Sequence, residues 1–364
     1  MTPFRVAILP DFVEEGWPSM DLVAEMLLAN LPPGTRGERL CPRFRRIFGR
    51  VPGSGGAGFN ADRIVNRFLT YPRFARKQTA DAFVVLDHSY AHLVHALPAE
   101  RTAVYCHDLN AFRCLLEPAK EPRPRWFRAL ARRTLGGLQR AAHVVAISEA
   151  TRAELGHFQL VDPAKVLVAP LGAAPEFVPL APERRVPWLD AVRGHPWLLH
   201  VGSCVPRKRI DVLLDAVAAV RRRVPDVRFV KVGGPFTAGQ DRQLDALGLR
   251  PILTHVSGVR RLELAEAYRR ASAVLMPSDS EGFGLPVLEA LACGAPVVAS
   301  DLPVFREVGG AAISYAPVAD VSAWTEAVVA ALAGHAPSRE VRLARAAEFS
   351  WARHAATVIG ALRS

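Results

Sequence analysis

The chain has 364 residues, 50% hydrophobic and 22% charged, which is enough for two domains with complete cores. No apolar run reaches about 18 residues, so a spanning helix is excluded, and the opening MTPFRVAILPDF enters a strand pattern without signal-peptide anatomy. The five cysteines have no CxxC pairing, and the formal charge is +11; a reduced, cytoplasmic protein with a basic surface is expected.

Apolar runs of strand length alternate with amphipathic helical patterns along the chain. FRVAILP (4–10) is followed by a helical pattern over 20–31, MDLVAEMLLANL, with Ser19 as its expected cap. DAFVVLD (81–87), TAVYCHD (102–108), HVVAIS (143–148) and KVLVAPLG (165–172) continue the series. The Pro-rich PEFVPLAPERRVPW (175–188) reads as a linker. Beyond it come PWLLHVG (196–202), VRFVKVGG (227–234), ILTHVSG (252–258), AVLMPS (273–278) and APVVAS (295–300), again separated by helical patterns, and the last stretch, 349–364, reads as a helix. Continuous apolar strands are buried on both faces. Helices between them imply parallel βαβ units. The expected fold is α/β, with two doubly wound Rossmann-like domains facing across a cleft. They are placed at 1–178, completed by the terminal helix crossing back (349–364), and at 179–348.

The excess positive charge concentrates in CPRFRRIFGR with the segment running on to ARKQ, and in Lys120–Arg140. The second segment reads as a basic helix carrying Trp126, Phe127 and Leu130. Such a face suits an anionic membrane surface or nucleic acid. A solvated Arg-rich face is the plainer reading, and no nucleic-acid motif is present, so no nucleic-acid partner is expected. His88, His92 and His95 have helical spacing, but no carboxylate or cysteine cluster completes a metal site, and none is expected.

Chemistry concentrates in the second half. EGFGLPVLE, Glu281 to Glu289, lies where a buried strand hands over to a helix. The helix is expected to begin near Leu285, with Pro286 in its first turn. Gly282 and Gly284 let the backbone approach a ligand, and the helix start favours an anion. Taken singly, Glu281 reads as a cap and Glu289 as a surface residue. The Gly-x-Gly-x-Pro between them, flanked by two apolar strands, points instead to a ligand site beyond the carboxyl ends of a parallel sheet. Earlier, in HVGSCVPRKRIDVLL, Gly202 permits a turn after a strand, and Arg207 and Lys208 are poised for a phosphate.

GSCVPRK, KVGG, HVSGV and S-x-x-EGFGLPVLEALACGAPVVASD, in this order and spacing, closely resemble the nucleotide-sugar-dependent glycosyltransferases of the GT-B fold. Within them the chain is similar to the retaining glycosyltransferase family 4, or group 1, whose E-x7-E hallmark is matched by Glu281 and Glu289. The resemblance implies that Glu289 accepts hydrogen bonds from the ribose and that Glu281 contacts the donor sugar. It places the backbone of Phe283 to Leu285 against sugar and phosphates, Arg207 and Lys208 on the diphosphate, and Val256 and Val259 by the nucleobase. In the first half it puts Gly16 near the donor phosphates and His107 on the donor sugar. His88 and Asp108 are the acceptor-side candidates, while Ser148 and Arg152 in SEATRAEL are read as structural.

The implied reaction is metal-independent, retaining transfer of a hexose from a nucleoside-diphosphate sugar, UDP- or GDP-linked, to a cell-envelope glycan, polysaccharide or lipid-linked acceptor. No further cofactor is implied. Peripheral contact with the inner face of the cell membrane is expected from the basic first half of the chain, not from the resemblance. The chain departs from the family pattern at Arg209, where many relatives have Asn, and in the first βα loop, which has EEGWPSM in place of a Gly-Gly run. Two other readings stay open: a GT-B nucleotide-sugar epimerase, and a non-catalytic basic module binding membrane or nucleic acid. A phosphorylase would need a pyridoxal phosphate lysine, and none of Lys77, Lys120, Lys165, Lys208 or Lys231 has that context.

Overall fold

The computed structural model describes residues 2–51, 55–181 and 184–364. Part of the expected linker, residues 182 and 183, and part of the first basic segment, residues 52–54, lie outside the described residues. The chain divides into two compact units. One runs to Leu171 and takes in Ser350–Ser364; the other is Gly172–Phe349.

The first unit is built on a six-stranded parallel sheet: β1 (Phe4–Leu9), β2 (Thr35–Arg39), β3 (Ala82–Val85), β4 (Thr102–Cys106), β5 (His143–Ala146) and β6 (Val166–Val168), in the order β2-β1-β3-β4-β5-β6. The central strands AFVV and TAVYC are buried at every residue, because helices cover both faces of the sheet. β2 has the sequence TRGER and is half-exposed at the sheet edge. Only its backbone pairing marks it as a strand, so its apolar pattern is too weak to announce it. A Cβ on Gly37 would stand 2.5 Å from the Leu31 side chain, which would have to move to admit it.

The first helix runs Pro18–Ala29, two residues earlier than the periodicity implies. Its cap position is Trp17 and no side chain caps it, so the expected cap, Ser19, is instead an internal helix residue. Pro18 fixes the first turn, which sets the boundary. The last segment forms the helix Trp351–Arg363, capped by Ser350. It returns to the first unit: His354 meets the Tyr105 hydroxyl at 2.6 Å through Nε2 and the Ala169 carbonyl at 3.0 Å through Nδ1. A carbonyl only accepts, so the ring proton sits on Nδ1.

The second unit repeats the plan with β7 (Trp197–Val201), β8 (Arg228–Val232), β9 (Leu253–Val256), β10 (Ala273–Met276), β11 (Val297–Ser300) and β12 (Ser314–Ala316), in the order β12-β11-β10-β7-β8-β9, all parallel. Leu198, Phe229, Leu275, Val298 and Trp324 belong to one core cluster. Each unit is thus a doubly wound α/β layer. The strand order reverses between β1 and β3 in the first unit and between β7 and β10 in the second. Ligands of open parallel sheets bind beyond the carboxyl ends of the strands at such reversals.

All five cysteines are free, four buried and Cys41 half-buried. Among the described residues no helix is long and apolar enough to cross a membrane.

Candidate functional site

In the second unit, the loops that follow β7 and β10 flank the reversal. They are stitched together by main chain, Asp279 N–H donating to the Arg207 carbonyl at 2.9 Å. Side chains complete the link. Glu281 Oε2 accepts from Arg207 at 2.8 Å, and Oε1 accepts from Ser278 at 2.7 Å and from Lys208 Nζ. Arg207 also donates to the Ser280 carbonyl at 3.0 Å. The Glu281 side chain is only 7% exposed and that of Lys208 10%. Burial works against the Glu281 charge, but Lys208 and Arg207 outweigh it and hold the carboxyl below its ordinary value. Glu281 therefore does not cap the helix. The structure gathers Glu281, Arg207 and Lys208 into one cluster of two cations and one carboxylate, with Ser278 as a fourth member; Glu281 and Lys208 are buried and Arg207 is 33% exposed.

The helix that follows is Leu285–Ala292, with Pro286 in its first turn as the pattern implies. Its cap residue is Gly284, φ 94°, and no side chain caps it. A Cβ on Gly284 would sit 2.7 Å from the Phe305 ring. Both the dihedral and the space demand glycine there. Phe283 is buried against Phe349, ring centroids 5.8 Å apart, which fixes the main chain from Gly282 to Leu285 over the sheet end.

Glu289 lies one turn into the helix and is buried, not a surface residue. Its Oε2 accepts the Tyr268 hydroxyl hydrogen bond at 3.0 Å. Burial pushes its carboxyl up to about 7, with the Tyr268 bond working in the opposite direction.

Gly202 lies in the bend after β7, and its N–H donates to the Val232 carbonyl at 3.0 Å. A Cβ on Gly202 would stand 3.3 Å from His200 Nε2, and one on Gly233 would run into the Gly202 carbonyl at 2.2 Å. Close approach of the β7 and β8 loops demands glycine at Gly233, whereas at Gly202 an added Cβ would only press on the His200 ring. Val256 ends β9 and its carbonyl accepts from Gly233 at 2.9 Å, so Val256 and Val259 lie on the same carboxyl edge. Both are half-buried. His200, buried under this loop, donates from Nδ1 to the Leu275 carbonyl at 2.9 Å, and burial holds it at about 3, hence neutral.

Arg209 has φ 47°, in the left-handed region, at the start of the helix Ile210–Arg223. That region is several-fold enriched in Asn. The backbone thus explains why Asn suits this position. Here the guanidinium instead reaches Asp211, at 2.8 Å.

In the first unit the candidates gather at the carboxyl ends of β1, β3 and β4. Gly16 has φ 71° and open space around an added Cβ. Before it, the buried Glu15 side chain is gripped by Arg67 through two hydrogen bonds and accepts from the Tyr90 hydroxyl at 2.7 Å. His88 stands between Asp87, 3.3 Å from Nδ1, and Asp108, 3.4 Å from Nε2. Burial opposes its charge, yet the two carboxylates lift its pKa above the ordinary value. His107 is buried. Its Nε2 donates to the Leu86 carbonyl at 2.7 Å, leaving Nδ1 as the ring's free acceptor position, and burial holds its pKa down. His92 and His95 bond main-chain carbonyls of Arg67 and Arg133. Among the described residues no group of three or more His, Cys, Asp or Glu side chains is placed to hold a metal ion. Ser148 caps the helix Glu149–His157, accepting from Thr151 N–H at 3.0 Å.

The sequence reading passed over Asp11, Asp87 and Tyr268. The two aspartates sit just past buried strands, a position with signal. Tyr268 sits in the pattern of an ordinary helix and carries none.

Two family models match, "Glycosyltransferase Family 4" over residues 27–177 and "Glycosyl transferases group 1" over residues 195–334. The D-inositol 3-phosphate glycosyltransferase of Kineococcus radiotolerans is 38% identical over 175 residues, covering 45% of this chain and 40% of that one. The O-antigen chain mannosyltransferase B of Escherichia coli is 28% identical, covering 71% and 69%. Across the first D-inositol 3-phosphate glycosyltransferases matched, the chain spans 40–61% of the relative's length. Among solved structures, sucrose-phosphate synthase from Thermosynechococcus elongatus superposes with TM-score 0.73 at 18% identity, covering 99% of this chain and 98% of that one. Anabaena HepE in complex with UDP and glucose gives 0.72 at 16%, covering 99% and 100%. At such identities the structures speak for the fold, which is GT-B. The chain belongs to the group 1, or family 4, glycosyltransferases.

Proposed function

We propose that the protein transfers a hexose, with retention of configuration, from a nucleoside-diphosphate sugar to a hydroxyl of a glycan, polysaccharide or lipid-linked acceptor. The observation that carries this reading is the Glu281–Arg207–Lys208 cluster at the β7/β10 reversal, beside the uncapped start of the helix Leu285–Ala292. Arg207 and Lys208 are the cations for the diphosphate. An entering diphosphate shares them with Glu281, which turns its freed oxygen to the sugar hydroxyls. Charge that develops on the departing diphosphate meets groups already oriented there, which is where electrostatic catalysis acts. In this reading the two cations carry the neutralising role without a metal.

The second unit is the donor side, with Gly202, Gly282, Phe283, Gly284 and Leu285 near the phosphates and sugar. Glu289 takes the ribose, and Val256 and Val259 flank the base. The first unit is the acceptor side, with His88 and Asp108 as its acceptor candidates, while Gly16 is its candidate for the donor phosphates and His107, through Nδ1, for the donor sugar. UDP in the HepE complex favours a uridine donor. The reading also includes peripheral attachment at the cytoplasmic face of a membrane, through the helix Arg125–Arg140, where Trp126 is 54% exposed and Phe127 37%.

Thermal shift against UDP, GDP, ADP and CMP, without added metal, tests the donor site. A ligand that binds only the native state stabilises it. A rise in melting temperature with one diphosphate, lost in Lys208→Ala, is expected. No shift with any of them overturns the reading.

A further inference from the structure

The strand order of the first unit reverses between β1 and β3, and a crevice beyond the carboxyl ends of such strands is where a parallel sheet receives a ligand. The register Leu9↔Val85, carried on two residues, places Asp11 alongside Asp87. Asp11 is 5% exposed, and neither carboxyl oxygen meets a hydrogen-bond donor. Asp87 differs: it accepts from Ser89 N–H at 2.6 Å and lies 3.3 Å from His88 Nδ1.

A buried carboxylate without a donor does not keep its charge beside a second carboxylate. Burial, then the charge of Asp87, raise Asp11 well above its ordinary value, and Glu15 adds to this. Arg67 works the other way but is engaged by Glu15. Burial also opposes the Asp87 charge, but His88, His107, the Ser89 N–H and Arg67 outweigh it and hold Asp87 below its ordinary value. Asp11 is thus the member of the pair that holds a proton more readily, and Asp87 the one that keeps its charge.

Such a pair presents a hydrogen-bond donor and acceptors at one point. Hydroxyl groups, which both donate and accept, match it. A phosphate or carboxylate brings only acceptors and a full negative charge. It would face Asp87, Asp108 and Glu15, while Arg67 is paired with Glu15 and His88 stands between two aspartates. Gly16, with open space around its Cβ position, lies in the same β1 loop.

We infer that Asp11 and Asp87, at the β1/β3 reversal of the first unit, bind an uncharged, hydroxyl-bearing end of the acceptor and discriminate against a phosphorylated one. This rests on the reading of the first unit as the acceptor side, and it assigns that side a substrate class. It also separates this chain from a relative named for a phosphorylated inositol.

Saturation-transfer NMR tests it on wild type, Asp11→Ala and Asp87→Asn. The probes are methyl α-mannopyranoside and myo-inositol, against mannose 6-phosphate and inositol 3-phosphate as charged counterparts. Signals from the neutral probes, weakened about tenfold in either variant by loss of a buried hydrogen-bonding partner, and none from the phosphorylated probes, are expected. Isotope-edited infrared spectra should show a protonated aspartate at neutral pH in wild type and not in Asp11→Ala. Equal signals in the variants, a preference for phosphorylated probes, or no neutral binding overturns the inference. UDP titration of the same samples reads the second unit separately, so wild type that fails to bind nucleotide counts against the donor reading alone. Asp11→Leu replaces Asp11→Ala if the latter does not fold.

Discussion

Tyr268 donates its hydroxyl hydrogen bond to Glu289 Oε2 at 3.0 Å, and both side chains are buried in the second unit. A phenol and a carboxyl confined together give Glu289 an unusual titration. Burial moves it from 4.5 to about 7.

The sign follows from linkage. The raised native value favours the protonated form in the fold, so this contribution to stability is complete below about pH 4.5 and is lost as pH rises through about 7. Glu289→Gln removes the dependence. Urea unfolding across this range should show the variant gaining on wild type as pH rises, by on the order of 3 kcal/mol overall. Parallel stability curves would show that Glu289 does not titrate there. Nucleotide affinity in wild type should rise with pH over the same interval, because ribose hydroxyls donate to the ionised form. Calorimetric titration reads it.

Lys208→Ala strips one partner from a Glu281 carboxylate that is 7% exposed. Removing one member of a buried pair costs about 3–5 kcal/mol, and the remaining bonds from Arg207 and Ser278 place the expected loss at the lower end. Adding Glu281→Gln should restore more than half of the stability, because the stranded charge is gone. Turnover should stay at least about 100-fold down in both variants, as when a donor to developing charge is removed. Chemical denaturation and donor turnover together check it. Wild-type turnover in Lys208→Ala would take that residue out of the mechanism.

Arg209 occupies left-handed backbone, φ 47°, which burdens a residue of this shape by roughly 1–2 kcal/mol. Its ion pair with Asp211 is largely exposed on the Asp211 side, and such a pair returns about 0–1 kcal/mol. Arg209→Asn should therefore raise the denaturant midpoint slightly, by about 0.5–1 kcal/mol of stability. A lower midpoint would mean that the Asp211 bond outweighs the backbone.

The helix Arg125–Arg140 exposes Trp126 and Phe127 among arginines. Co-sedimentation with vesicles containing anionic lipid should be measurable at low salt and fall steeply by physiological ionic strength, as screening shortens to about 8 Å. Trp126→Ala with Phe127→Ala should weaken it by removing apolar insertion. Absence of binding at every salt concentration would discard membrane attachment.

By itself the sequence determined the architecture. Buried parallel strands demand continuous apolar runs, so AFVV, TAVYC, WLLHV and AVLM were legible, as was the helix start at Leu285–Pro286. The motif residues Arg207, Lys208, Glu281 and Glu289 were legible too, because loops at strand ends carry their chemistry in short, ordered stretches. The edge strands TRGER and SYA were not, since their place in the sheet depends on backbone pairing that leaves little apolar pattern. The tertiary structure alone decided the electrostatics. Glu281 meets Arg207 and Lys208 across 74 and 73 residues of chain, Asp11 meets Asp87 only because β1 and β3 are neighbours, and Glu289 reaches about 7 only through burial. Residue type states which charge a group can carry. Its neighbours and its access to water, which the fold sets, decide whether it carries that charge.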